Sequence, residues 1–553
     1  MALVSFRNSE LVVNYGELRV LVVDDYPNMR SALKQTLANF GVSRIDMVGN
    51  AAEALFKVQN NSYDLILSDF NLGEGRDGQQ LLEELRHRGL ISLESVYVMV
   101  TAEGGYEKVV STAELAPDDY LIKPFSGELL RSRLDGILIK KLIFSSVYRH
   151  FEQHELEEAL AGCDQIIKAR PKYVVDALRF KGELLNSMGR FEEAEALYNK
   201  IIQMRAVPWA RLGLARSLHS QKKDEAAEEL LRDVLDKTPE LVAGYDLLAE
   251  VCLMRKDSAA AQETLQRGVA ISAKTVRRQQ RLGEVAFENG DLSTAKAAYS
   301  NALEKGRHSI FVGAADYGHL CRVQVEQGDL TGALDTLKQG KPLLQANPDA
   351  QLVGAVVRSM VHTKAGNTSE AEKAMDEAAR LTQEGAHADE RVMLDYADAC
   401  MANGRNDQAD EIIRTVARNA HDSESLLAKA RRIYENSGRV DAGTQILKEA
   451  TANVRTLNNE AVILAHKGEY RAAVEKLQAA CWEAPYNGRI LMNAVWVMLK
   501  CIEKEGMDEL LMEDARKLLA DAEKLDPGHT RLPTLRNHMK DVEARFGIRR
   551  RNA

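Results

Sequence analysis

No stretch of this 553-residue chain approaches the roughly 18 consecutive apolar residues of a membrane-spanning helix, and the opening MALVSFRNSE lacks the basic flank and apolar stretch of a secretory signal. A cytoplasmic location without membrane insertion is therefore expected. Cysteine is scarce: Cys163, Cys252, Cys321, Cys400, Cys481 and Cys501 are widely scattered, with no CxxC pair and no histidine at ligand spacing beside them. That argues against zinc or redox work, and their placement inside helical patterns reads as packing by small apolar side chains. The twelve histidines show no HExxH spacing, so isolated ones such as His219 and His466 read as surface or inter-helix residues. Positive charge is not in surplus either. A formal net charge of −9 and a pI near 5.9 give no general attraction to nucleic acid, and the basic spots at Arg131, Arg133, Lys140, Lys141 and Arg549 to Arg551 read as solvated. What is present, 45% hydrophobic and 28% charged residues, is the balance of a globular chain too long for one ordinary core.

The first 125 residues carry the chemistry. Four short apolar runs end in polar residues: VLVVDD from Val20, LILSD from Leu65, VYVMVT from Val96 and DYLIK from Asp119. Strands alternating with helical stretches imply an α/β doubly wound parallel sheet, whose strand carboxyl ends share one crevice. Asp24, Asp25, Asp69, Thr101 and Lys123 would meet there. At about 4 Å and an effective dielectric near 20, each like-charge pair costs roughly 4 kcal/mol, so three carboxylates need a counter-charge beyond one lysine. A hard divalent ion such as Mg2+ answers that need. Metal, acceptor carboxylate, hydroxyl and ammonium together are the parts of phosphoryl transfer, and the chemistry suggested is a transient aspartyl phosphate.

With the acidic pair, the central aspartate, the VTA threonine and the IKPF lysine in this order, the segment from Leu18 to Gly136 resembles the receiver domain of bacterial two-component response regulators. The resemblance implies a five-stranded, flavodoxin-like fold in which Asp69 accepts a phosphoryl group from a sensor histidine kinase or phosphotransfer protein. It also implies Mg2+ held by Asp25, Asp69 and the backbone carbonyl of Asn71, with Asp24 acting through water. Lys123 would bind a phosphoryl oxygen, Thr101 would move toward the phosphate, Ala102 would belong to the same phosphate-binding switch, and Tyr120 would swing inward once Thr101 has moved. Asn71 and Glu103 occupy the positions by which receivers tune self-dephosphorylation. The loop LGEGRDG after Asn71 departs from the family by one extra residue and the absence of a common proline.

After Gly136 strand signals stop and helical periodicity runs nearly to the end. GRFEEAEALY (from Gly189), GDLSTAKAAY (Gly290), GDLTGALDTL (Gly328), GNTSEAEKAM (Gly366), GRNDQADEII (Gly404) and GEYRAAVEKL (Gly468) share one template: glycine, a small residue five on and a bulky residue nine on. These segments resemble tetratricopeptide repeats, and Trp209, Leu212 and Gly213 reproduce the family's W-x2-L-G opening. An all-α superhelical solenoid of about eleven helix pairs is implied, weakest around Gly438 and at its end. Successive turn glycines from Gly290 to Gly404 are 38 residues apart, which suggests an extra helical turn in the middle repeats, and the step then shortens to 34 and 30. Trp209, Trp482 and Trp496 read as core or inter-repeat packing.

The expected organisation is an extension over 1–17, a receiver over 18–136, a repeat array over 137–528 and a capping helix with basic tail over 529–553. ELLRSRLDGILIKKLIFSSVY, from Glu128, keeps apolar residues at three- and four-residue steps, so the last receiver helix runs into or packs on the first repeat, with Gly136 the expected hinge or helix boundary. The leading functional reading is a response regulator, not an enzyme beyond its own phosphorylation and dephosphorylation. Its output would be a protein partner in the repeat groove, dimerisation, or both. The alternatives are a constitutive scaffold with a vestigial receiver, and a nucleic-acid-binding regulator, which the acidic composition disfavours.

Overall fold

The computed structural model describes residues 4–7, 10–102, 117–153, 155–205, 207–525 and 531–547. Two compact units divide the chain, Met1–Val312 and Gly313–Ala553.

The first unit opens with an antiparallel hairpin, β1 (Val4–Arg7) and β2 (Glu10–Val13). Five strands follow, β3 (Arg19–Val23), β4 (Arg44–Val48), β5 (Leu65–Asp69), β6 (Val96–Thr101) and β7 (Asp119–Ile122), in one parallel sheet of order β4-β3-β5-β6-β7. Helices α1 (Pro27–Asn39), α2 (Ala51–Asn60), α3 (Gly78–His87) and α4 (Gly127–Gln153) connect or follow the strands among the described residues. A strand covered on both faces has no polar side to spare, and β6 is buried at all six positions. Leu33, Leu37 and Leu130 pack on one face of the sheet and Leu55, Leu81 and Leu85 on the other, as double winding requires.

Helix α4 is 27 residues long and joins two cores. Leu130, Leu134 and Leu138 lie in the sheet's core, while Phe144 and Val147 pack with Ala159, Cys163 and Ile166 of the following helix. The joint is thus one continuous helix. Gly136 is not a boundary: the helix passes through it, because nine helical residues precede it from Gly127 and apolar periodicity continues beyond it.

Paired helices then fill the rest of the first unit: Val174–Ser187 with Phe191–Met204, Pro208–Ser220 with Asp224–Lys237, Val242–Met254 with Ser258–Ile271, and Val276–Glu288 with Leu292–Lys305. The small-and-bulky template has a direct physical basis. Tyr198 lies between Gly182 and Gly213, and a Cβ added to either glycine would come within 2.5 or 2.3 Å of its ring. The turns explain the glycines that precede each second helix, for Gly189 and Gly290 sit at φ of 73° and 77°. In two turns of this unit Lys222 and Lys256 take the same left-handed conformation, at 61° and 64°, which is why a glycine search passes over them.

In the second unit the pairs are Ala314–Glu326 with Leu330–Leu344, Pro348–Lys364 with Thr368–Gln383, and Glu390–Ala402 with Asn406–Asn419. Glu424–Asn436 then packs with the first half of the 27-residue helix Val440–His466, whose second half pairs with Tyr470–Glu483. Gly488–Glu505 with Glu509–Leu525 completes the array, and Leu532–Arg545 covers it, burying Leu532, Leu535 and Val542. Counting the end of α4 as a first helix, eleven pairs are present among the described residues.

Two packing expectations need correction. Trp482 is 87% exposed because Ala473, Leu477 and Ala480 form the buried face of its helix and residue 482 falls on the opposite side; Trp496 is also surface-exposed, at 37%. The 38-residue step from Gly290 to Gly328 contains helices of only 14 and 13 residues, and its excess lies in the connection 306–313. The next step does contain longer helices, of 15 and 17 residues.

Candidate functional site

Parallel register sets the site. β5 pairs Asp69 with Val100, and β6 pairs Thr101 with Ile122, so Asp69, Thr101 and Lys123 reach one sheet edge, with Asp24 and Asp25 just beyond Val23 at the end of β3, the strand beside β5. The backbone stitches this edge together: Phe70 N–H donates to the Val100 carbonyl at 2.9 Å and Lys123 N–H to the Thr101 carbonyl at 2.7 Å.

Lys123 Nζ lies 2.9 Å from Asp24 Oδ2 and 2.8 Å from Asp69 Oδ2, bridging the two carboxylates. Carboxylate oxygens of Asp24, Asp25 and Asp69 all fall within 4.8 Å of one another. Asp24 is buried, Asp69 partly so, and Asp25 faces solvent. Burial pushes the Asp69 carboxyl above its ordinary pKa and the Asp24 charge adds to that, while Lys123 opposes it. Burial works against the Lys123 charge, but the two carboxylates prevail and hold its pKa above the usual value. Three carboxylates against one ammonium leave an excess of negative charge that a hard divalent cation would balance. The donor set fits Mg2+: oxygen ligands, one of them open to water.

The other expected residues take these places. Thr101 is buried at its strand end, and Ala102 is exposed beside it. Asn71 is exposed, with its N–H pointing to Asp69 Oδ1 at 3.4 Å. Tyr120 is half-buried against the cluster holding Tyr97 and Met99, with its hydroxyl screened from solvent. Glu103 lies outside the described residues.

The long loop after Asn71 is accommodated by two left-handed glycines, Gly73 at φ 74° and Gly75 at φ 106°. It ends in a capping box at α3, where Asp77 accepts from the Gln80 N–H at 2.8 Å and the Gln80 side chain accepts from the Asp77 N–H at 3.2 Å. Supporting residues that motif reading passed over are Gly78, Tyr26 and Arg30. A Cβ at Gly78 would stand 2.1 Å from the Asp69 carbonyl oxygen, so only glycine lets α3 approach the acceptor. The Tyr26 N–H donates to Asp24 Oδ1 at 2.8 Å, and the Arg30 guanidinium donates to the Asp24 carbonyl. The D-G pair at Asp77 and Gly78 was the available signal.

Comparison with known proteins agrees with this geometry. The response regulator receiver domain family model matches residues 20–135. Residues 20–135 are a receiver domain. Tetratricopeptide repeat is the second match, over residues 188–246. Chemotaxis protein CheY-3 of Vibrio cholerae is 29% identical over 134 residues, spanning 23% of this chain and 96% of that protein. Chemotaxis protein CheY1 of Helicobacter pylori is 29% identical over 122 residues, 22% of this chain and 97% of that protein. Among solved structures, response regulator TrrA of Thermotoga maritima in complex with Mg2+ and BeF is 30% identical, covering 22% of this chain and 99% of that one, with a TM-score of 0.20. The chain therefore joins a CheY-like receiver to a tetratricopeptide-containing helical region. Among the described residues, no helix is long and apolar enough to cross a membrane.

Proposed function

We propose that this protein is a phosphorylation-controlled regulator whose receiver accepts a phosphoryl group on Asp69 and whose repeat array carries the output by binding protein. The observation that carries this reading is Lys123 bridging Asp24 and Asp69 beside Asp25, an arrangement that holds an acceptor carboxylate, a fixed positive charge and a cation site together.

In the transfer, an Oδ of Asp69 attacks phosphorus of a phosphohistidine on a sensor kinase or phosphotransfer protein. The P–N bond breaks, the acyl phosphate P–O bond forms, and the leaving imidazole keeps the bonding electron pair and is protonated by solvent. Lys123 holds a phosphoryl oxygen where charge develops, and Asp25, Asp69 and the Asn71 carbonyl would hold Mg2+, with Asp24 acting through water. When bound, Mg2+ neutralises the phosphoryl oxygens. Hydrolysis of the acyl phosphate returns the Asp69 carboxylate and inorganic phosphate, and no other enzymatic activity is proposed. Thr101 and the half-buried Tyr120 report the phosphoryl group to β7, whose next helix is the continuous α4.

Incubation with acetyl phosphate and Mg2+ tests the reading. One acid-stable, base-labile phosphoryl adduct is expected by mass, absent from Asp69→Asn. No adduct on the wild-type chain would instead favour a constitutive scaffold. Site for a nucleic acid has no support in the acidic composition.

A further inference from the structure

The connection 306–313 is eight residues long, twice the four-residue connections 238–241 and 272–275 earlier in the array. It is a built structure. Ser309 N–H donates to the Gly306 carbonyl at 2.8 Å, Ser309 Oγ accepts from the Phe311 N–H at 3.2 Å, and the Gln280 amide donates to the Phe311 carbonyl at 2.8 Å. The Arg277 guanidinium lies 4.0 Å from the centre of the Phe311 ring. These contacts present an aromatic ring at a fixed place.

What meets that ring is the receiver. His87, at the end of α3, stands edge-on to Phe311 with ring centres 5.4 Å apart and planes at 79°. Gln80 of the same helix donates to the Lys305 carbonyl at 3.5 Å, and Lys274 Nζ lies 5.5 Å from the ring centre of Phe70. Phe70 directly follows Asp69 and is fixed by its own N–H to Val100 and by the Gly78 N–H to its carbonyl at 2.8 Å. All of these residues belong to the first unit.

We infer that α3 and the loop after β5 form a docking surface for the chain's own array, seated on Lys274 and the loop 305–311, and that this docking and phosphoryl occupancy of Asp69 stabilise each other. The inference rests on the reading of Asp69 as phosphoacceptor. Phosphorylation brings the side chain to about −1.5 to −2 charge units at pH 7, and Lys274, an array cation set on the acceptor's neighbour, is drawn toward it. His87, Lys274 and Arg277 keep exposed side chains, so the interface is open enough to solvent for a change of charge to shift it. By reciprocity, whatever loosens the docking must weaken the phosphorylated state by the same factor.

The test uses the full chain and two substitutions outside the phosphorylation site, Lys274→Glu and Phe311→Ala, with Lys274→Arg as the conservative control. Beryllofluoride with Mg2+ serves as the phosphoryl probe, and acetyl phosphate labelling of Asp69 is followed by mass. All variants are expected to acquire the adduct. Beryllofluoride affinity is expected to fall by about fivefold or more in Lys274→Glu and Phe311→Ala, the size of a typical coupling between sites, and to stay at the wild-type level in Lys274→Arg. In the wild-type chain the probe should slow hydrogen exchange over 305–312, and in the two disruptive variants it should not. Equal or tighter probe binding in both disruptive variants, with the adduct still formed, overturns the docking inference alone. Loss of the adduct from the wild-type chain overturns the phosphoacceptor reading and this inference with it.

Discussion

Asp25 is the site's exposed carboxylate, and its value depends on whether a cation is bound. Without metal it adds repulsion to Asp24 and Asp69; with metal it would supply a ligand. Asp25→Asn should therefore leave the melting temperature in chelator unchanged or higher and remove most of the rise that Mg2+ gives the wild-type chain, as differential scanning calorimetry would show. An undiminished Mg2+ response would place the ion elsewhere. Gly213 illustrates the same dependence on one neighbour in the array. An added methyl would stand 2.3 Å from the Tyr198 ring, so Gly213→Ala should cost about 2 kcal/mol in urea unfolding, and much less in a Tyr198→Leu background. Asp24, Asp25, Asp69 and Lys123 were legible in the sequence because each ends an apolar run, and strand ends converge in a parallel sheet. Gly78 was not, because its role is a close approach to the Asp69 carbonyl, which depends on a distance between elements and leaves no pattern in composition.

At the scale of elements, α4 carries most weight, since its two halves lie in different cores. Gly136 sits within it with nothing inside 4 Å of an added Cβ. Gly136→Ala should accordingly stabilise the helix by about 0.5–1 kcal/mol, measured by chemical unfolding. A loss of stability would show that the glycine serves a bend. Another element joint should respond to pH: His219 Nδ1 is 2.6 Å from Asp224 Oδ1 and its Nε2 3.6 Å from Glu250 Oε1, linking one helix to the starts and faces of two others. Hydrogen bonding to Glu250 first, with Asp224 adding to it against burial, raises the imidazole pKa above 6.5. A raised folded-state pKa means the stabilisation is complete below pH 6.5 and is lost as pH rises through the folded value. Screened by solvent, it should amount to about 0.5 kcal/mol, and the pH 6 to 8 decline in stability should be shallower in His219→Gln. Element lengths were less legible than element identities. The 30-residue step from Gly438 to Gly468 arises because the single helix Val440–His466 serves two pairs, with Ile446, Leu447 and Ala450 in one core and Val454, Ala461 and Ala465 in the next. Uninterrupted periodicity gives no sign of where one repeat hands over to the other.

Taken whole, the chain couples a 116-residue receiver match to a helical region several times as long, and the continuous α4 leaves no flexible linker between them. The receiver therefore cannot shift α4 without shifting the first repeat, where Phe144 and Val147 are buried against Ala159 and Cys163. In the reading proposed above, a protein bound by the repeat array receives the signal. Hydrogen exchange followed by mass spectrometry over residues 127–200, with and without beryllofluoride and Mg2+, tests this account most directly. Altered exchange in that segment of the wild-type chain, and none in Asp69→Asn, is the expected result; identical exchange in the wild-type chain with and without the probe would contradict it.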